Sequence, residues 1–148
     1  MEWAFLEKAM LHLGFSRKFV NIIMSCIKTV SFSTIINGVP VGHIVPSRDL
    51  RQGDPLSSYL FLICAIGLQG LIHKAELEGL LRGVLICRNG PRVSHLFFAN
   101  DNILFCRAKE FECQGILEIL STYENGSGQK INRDKTNIFF SANTHHDI

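Results

Sequence analysis

A chain of 148 residues is the size of one ordinary domain and is long enough to bury a core. With 47% hydrophobic and 19% charged residues, it is neither disordered nor fibrous. A net charge of +2 permits a nucleic-acid partner without requiring one.

The five cysteines, Cys26, Cys64, Cys87, Cys106 and Cys113, are odd in number, scattered, and nowhere spaced as Cys-x-x-Cys. They exclude a disulfide framework or a zinc knuckle and read as buried thiols in a reducing compartment. The opening Met1-Glu2-Trp3-Ala4-Phe5 lacks the basic-then-apolar layout of a signal peptide. The longest apolar run, residues 59–68, is too short to span a bilayer and ends at Gln69. No membrane partner is expected.

In chain order, residues 2–13 place Trp3, Leu6, Met10 and Leu13 at the three-to-four spacing of an amphipathic helix, stopped by Gly14. Ser16 offers an N-cap for a second helix through about Lys28, with Phe19, Ile22, Ile23, Cys26 and Ile27 on its buried side. Residues 31–45 turn β-branched and aromatic around Asn37-Gly38 and Pro40, the pattern of a hairpin. A polar loop over 46–54 leads to Asp54-Pro55, an N-cap followed by proline at the first helical position. The helix that follows should reach about Glu78 and be mostly buried, since residues 59–71 are apolar on nearly every face. Two strands are expected at 83–88 and 93–99, with Asn89-Gly90-Pro91 turning between them. A tight turn at Asn100-Asp101 leads to a strand over 103–106. A helix from Lys109 to about Tyr123 is then broken by Asn125-Gly126-Ser127-Gly128, and residues 136–141 form a last short strand. With no repeat and no linker, residues 1–144 read as one α+β domain followed by a 145–148 tail.

The stretch that carries chemistry is residues 93–106: apolar strand, acidic turn, apolar strand. A polymerase palm presents carboxylates at such a hairpin tip, where two divalent ions about 4 Å apart serve nucleotidyl transfer. Magnesium takes hard oxygen ligands, which Asp supplies. Taken alone, Asn100-Asp101 is an ordinary turn. His12, His43, His73 and His95 show no ligand spacing, and His145-His146 reads as a loose tail.

The wider pattern is more specific. Arg51-Gln52-Gly53-Asp54-Pro55-Leu56-Ser57, then an apolar helix, then Phe98-Ala99-Asn100-Asp101, resembles LINE-type (non-LTR retrotransposon) reverse transcriptases in order and spacing. Glu2-Trp3-Ala4-Phe5-Leu6, Ser127-Gly128-Gln129-Lys130-Ile131-Asn132 and Lys135-Thr136 are similar to the same family, particularly its plant members. The resemblance runs from Glu2 to Thr144.

It implies a partial polymerase palm, an antiparallel β-hairpin sheet packed on helices, without the first catalytic strand, fingers or thumb. It also implies that Arg51, Gln52 and Gly53 lie against incoming nucleotide and template, facing the hairpin, and that Asn100 and Asp101 stand where Mg2+ is held. Lys130 and Lys135 would lie near nucleotide phosphates, where cations stabilise developing charge. The partner implied is an RNA/DNA template-primer.

Two departures weigh against activity. The family carries two adjacent aspartates where this chain has Asn100-Asp101, and an amide adds no negative charge for a divalent pair. The family's other metal-binding aspartate lies on a strand upstream of the block matching Glu2-Trp3. Asp101 is the remaining carboxylate, and the expectation is an inactive remnant. The alternatives are a non-catalytic nucleic-acid-binding module using Arg48, Arg51, Lys130 and Lys135, a truncated reading of a complete reverse transcriptase, or a polymerase completed by a second chain. Asp49 replaces a common family glycine at a position expected to need φ > 0. An exposed sheet edge near Phe97 and Phe98 predicts self-association.

Overall fold

The computed structural model describes residues 1–98, 101–142 and 144. Its elements are four α-helices and three two-stranded antiparallel ladders among the described residues, an α+β fold of the kind a partial palm provides. Packing divides the chain into two compact units, residues 1–66 with 126–129, and residues 67–125 with 130–148.

The first unit is built on α1 (Trp3–His12) and α2 (Arg17–Lys28). Ser16 caps α2 as its sequence position predicts, its hydroxyl accepting the Phe19 N–H at 3.3 Å. Leu6 and Met10 of α1 pack with Val20, Ile23 and Met24 of α2 and with Leu60 and Cys64. Each fully buried Leu or Val contributes about 1.5–3 kcal/mol. The buried stripe of α2 is therefore 20, 23 and 24, with Ile27 half-buried beside it; of the expected residues Ile23 and Ile27 face the core, and Phe19, Ile22 and Cys26 do not. Phe19 and Ile22 are exposed, and Phe19 stacks on Phe15 with ring centroids 5.5 Å apart. Both stripes of α2 are apolar, so periodicity could not choose between them.

Strands β1 (Phe32–Ile36) and β2 (Val39–Ile44) form the hairpin expected around Asn37-Gly38, with Ile36 opposite Val39. Asn37 and Gly38 take φ of 51° and 79°, the left-handed pair of a two-residue hairpin turn. The hairpin is exposed along almost its whole length.

Helix α3 (Pro55–Leu77) starts where Asp54-Pro55 predicts, the Asp54 carboxylate accepting the Leu56 N–H at 2.8 Å. It is not mostly buried. Leu60, Cys64, Leu68 and Ile72 make one buried stripe, while Tyr59, Leu62 and Ile66 are exposed. Its apolar character also continues beyond Gln69, so the helix is long and apolar enough to cross a membrane by length and composition, with mean hydropathy 1.7. The core helix of a soluble protein meets the same test.

In the second unit, the expected strands shrink to β3 (Val84–Leu85), β4 (Arg92–Val93) and β5 (His95–Phe98). Strand β6 (Asp101–Leu104) begins two residues earlier than expected and pairs with β5, Phe98 opposite Asp101 and His95 opposite Leu104. Helix α4 (Glu110–Ser127) runs through Asn125, Gly126 and Ser127 and stops at Gly128, whose φ is +70°. The expected break therefore acts only at its last residue. Residues 136–141 form no strand. A short 3-10 turn, Arg133–Lys135, precedes them, and Ile138, Phe139 and Phe140 are exposed. Their composition favours extended backbone, but a strand also needs a neighbour to pair with. Asn143 and the expected 145–148 tail lie outside the described residues.

The thiols depart from expectation as well. Cys64 is buried and Cys106 half-buried, but Cys26, Cys87 and Cys113 are exposed.

Candidate functional site

The loop carrying Arg51, Gln52 and Gly53 belongs to the first unit and is held from two sides. Asp49 donates its N–H to the Met1 carbonyl at 2.8 Å, and its own carbonyl accepts the Trp3 indole N–H at 2.8 Å. At the other end, the Arg51 carbonyl accepts the Ser57 hydroxyl at 2.7 Å. Asp49 takes φ 69°, the left-handed conformation its position was expected to require, and Asp tolerates it better than most side chains. Gly53 takes φ +80° and leaves open space where a Cβ would stand, so the backbone is approachable there.

Beside this loop is a cleft of about 190 Å³ lined by Trp3, Phe32, Arg48, Asp49 and Arg51 among others. The Arg51 guanidinium lies 5.9 Å from the Phe32 ring centroid, a cation–π distance. Sequence reading missed Trp3 and Phe32 as cleft residues. Both lie N-terminal to the loop and far from it along the chain, so no local signal pointed to them.

Asp101 belongs to the second unit, exposed at the start of β6. Asn100 lies outside the described residues. Phe98, opposite Asp101, is 82% exposed, so this end of the ladder meets solvent. Lys130 and Lys135 are exposed in the same unit, Lys135 within the 3-10 turn. Arg48, Arg51, Gln52 and Gly53 are thus gathered in one loop of the first unit, and Asp101, Lys130 and Lys135 belong to the second.

The most elaborate polar arrangement in the second unit lies elsewhere. Glu112, fully buried in the first turn of α4, accepts backbone N–H groups from Arg107 at 3.1 Å and Arg82 at 3.2 Å, and its other oxygen meets the Arg107 guanidinium. Burial alone would raise its carboxyl pKa. The two N–H donors and the guanidinium outweigh burial and hold it below the usual range. This carboxylate fastens the 105–109 loop and the residue after Leu81 to α4, a structural task.

A two-ion centre needs several carboxylates converging on one point. Here the hairpin offers one carboxylate, Asp101, next in sequence to an amide. Among the described residues, no three His, Cys, Asp or Glu side chains come together. This donor set does not fit a pair of magnesium ions.

Residues 1–146 match the family described as reverse transcriptase (RNA-dependent DNA polymerase). The chain is also similar to an uncharacterized mitochondrial protein of Arabidopsis thaliana, 54% identical over 67 residues, which are 45% of this chain and 55% of that protein. The chain thus spans little more than half the length of the curated relative it matches. Reverse transcriptases in general bind a nucleic-acid template-primer and work with divalent metal. A match over nearly the whole chain, on an α+β fold consistent with a partial palm, establishes that this chain belongs to the reverse transcriptase family.

Proposed function

We propose that the chain is a palm remnant of an RNA-directed DNA polymerase from a LINE-type, plant-like non-LTR retrotransposon, without polymerase activity of its own. The observation that carries the reading is Asn100 beside Asp101, at the place where the family has two aspartates. Exchanging a carboxylate for an amide removes a full negative charge from a centre that must hold two dications, and such losses cost orders of magnitude in rate. Support for the plant-like assignment comes from the Arabidopsis relative and from the blocks around Glu2-Trp3 and Ser127-Gly128. Asp101 and the Asn100 position are the vestige of the metal site. Arg51, Gln52, Gly53, Lys130 and Lys135 are the vestige of the nucleotide and template surface.

Primer extension on an RNA template, with magnesium or manganese, tests this directly. The 148-residue chain should extend no more primer than its Asp101→Ala variant. Extension above that control overturns the reading.

The cleft beside Arg51 favours one further role, non-catalytic nucleic-acid binding. Two arginines with Trp3 and Phe32 offer phosphate contacts and stacking surfaces together. Binding of single-stranded RNA should weaken steeply with salt, and Arg48→Ala with Arg51→Ala should reduce that slope by about two charges. A slope unchanged in the double variant removes this role. The exposed end of the β5–β6 ladder, with Phe98 in solvent, suits self-association through a strand edge.

A further inference from the structure

Two features of the second unit each stand without a partner. The first is the outer edge of β6. The Phe105 N–H donates to the Ser94 carbonyl at 2.7 Å, so the alternation of an antiparallel ladder makes Leu96–Ile103 and Phe98–Asp101 hydrogen-bonded pairs as well. Asn102 and Leu104 then direct their N–H and C=O groups away from β5, and among the described residues no third strand pairs with them. The second feature is the segment after the 3-10 turn. Residues 137–140 make no backbone hydrogen bond among the described residues, and Ile138, Phe139 and Phe140 stand in solvent, Phe139 with 90% of its surface exposed. Thr136, Ile138, Phe139 and Phe140 are strand-forming residue types.

Charge selects β6 among the open edges. Asp101, its first residue, is the one carboxylate on any strand among the described residues, and Lys135 immediately precedes the segment. The β3–β4 ladder is two pairs long and carries a cation, Arg92. The β1–β2 hairpin holds no carboxylate and is interrupted by Pro40 and an irregular register.

We propose that residues 136–141 of one copy add as a strand to the outer edge of β6 in a second copy, which returns the same segment. The exchange rests on the strand-edge self-association read above and names the partner for that edge. Laid parallel to β6, the segment brings Lys135 beside Asp101 and Ile138 beside Leu104. Unpaired backbone groups of one chain meet those of the other, as in the addition of a peptide strand to an exposed sheet edge. Each copy carries both the edge and the segment, so the contact is self-complementary and closes on a dimer.

The molar mass of the full chain, followed by light scattering over a dilution series, provides the test. The wild-type chain should give the mass of two copies and fall to that of one on dilution. Ile138→Pro removes an N–H and fixes a backbone that a ladder rejects. Ile138 is exposed and its backbone unpaired in the single chain, so this variant should keep the wild-type circular dichroism and stay a monomer. Lys135→Glu should weaken dimerisation about fivefold through repulsion of Asp101, and Lys135→Glu combined with Asp101→Lys should recover it. A wild-type monomer at every concentration overturns the exchange together with the self-association on which it rests. A dimer that survives Ile138→Pro overturns the exchange alone and leaves strand-edge association standing. A double charge variant no tighter than Lys135→Glu overturns the placement on β6.

Discussion

Two acidic residues of the second unit stand in opposite circumstances. Glu112 is fully buried and held by two backbone N–H groups and a guanidinium. Asp101 is exposed at the start of β6, the residue proposed above as the vestige of a metal site. The carboxylate that fastens the fold and the one that meets solvent are thus different residues, and either can be altered while the other is kept. A buried ion with its hydrogen bonds intact is needed for folding, whereas an exposed aspartate in a two-strand ladder is not.

The largest expected effect follows from that contrast. Glu112→Ala should lower unfolding free energy by about 2–3 kcal/mol, because it leaves two part-buried N–H donors without an acceptor, while the partly exposed Arg107 guanidinium can turn to water. Asp101→Ala should change it by less than about 0.5 kcal/mol. Urea midpoints of the two variants make the comparison, and equal shifts would break it.

A smaller effect concerns acid. The folded-state pKa of Glu112 is depressed, so its contribution is fully present above the unfolded value, about 4.3. That contribution is lost as pH falls through the folded value. Wild-type stability should therefore drop on acidification below about pH 4, and Glu112→Gln should flatten this part of the profile. Parallel profiles for the two chains would show that the cage is not the acid-sensitive element.

The smallest expected effect is at Asp101. Millimolar magnesium should leave the wild-type thermal midpoint unmoved, since an ion that is not held cannot stabilise the folded state. A rise of several degrees that Asp101→Ala abolishes would show a working metal site and erase the contrast with Glu112.

Much of the helical architecture was legible from local signals. Ser16, Asp54-Pro55 and Asn37-Gly38 each act through their own backbone, and each stands where the structure uses it. What local pattern could not supply was the choice of partner. α2 has two apolar stripes and buries the one that α1 and Leu60 contact. Residues 138–140 look like a strand and have no ladder. α3 is apolar on nearly all faces, yet a single stripe is covered.

The candidate site divides along the same line. The loop's conformation was legible at Asp49, whose φ is positive as expected, but the hydrogen bonds that hold Asp49 come from Met1 and Trp3, far away in sequence. Trp3 and Phe32 reach the same cleft from elsewhere in the chain, and nothing near them in sequence announces it. The Glu112 cage was missed for a similar reason. Arg82 is thirty residues away, and Glu112, one of two glutamates in the first turn of α4, reads as surface charge.

Trp3 is the chain's single tryptophan, and its indole N–H is tied to the Asp49 carbonyl beside Arg48 and Arg51. All indole emission therefore originates at the wall of one cleft. A base stacking there should quench it, and a shift of the 48–51 backbone should move its maximum. The protein carries its own optical reporter for the surface on which the nucleic-acid reading depends, and no added label is needed to follow it.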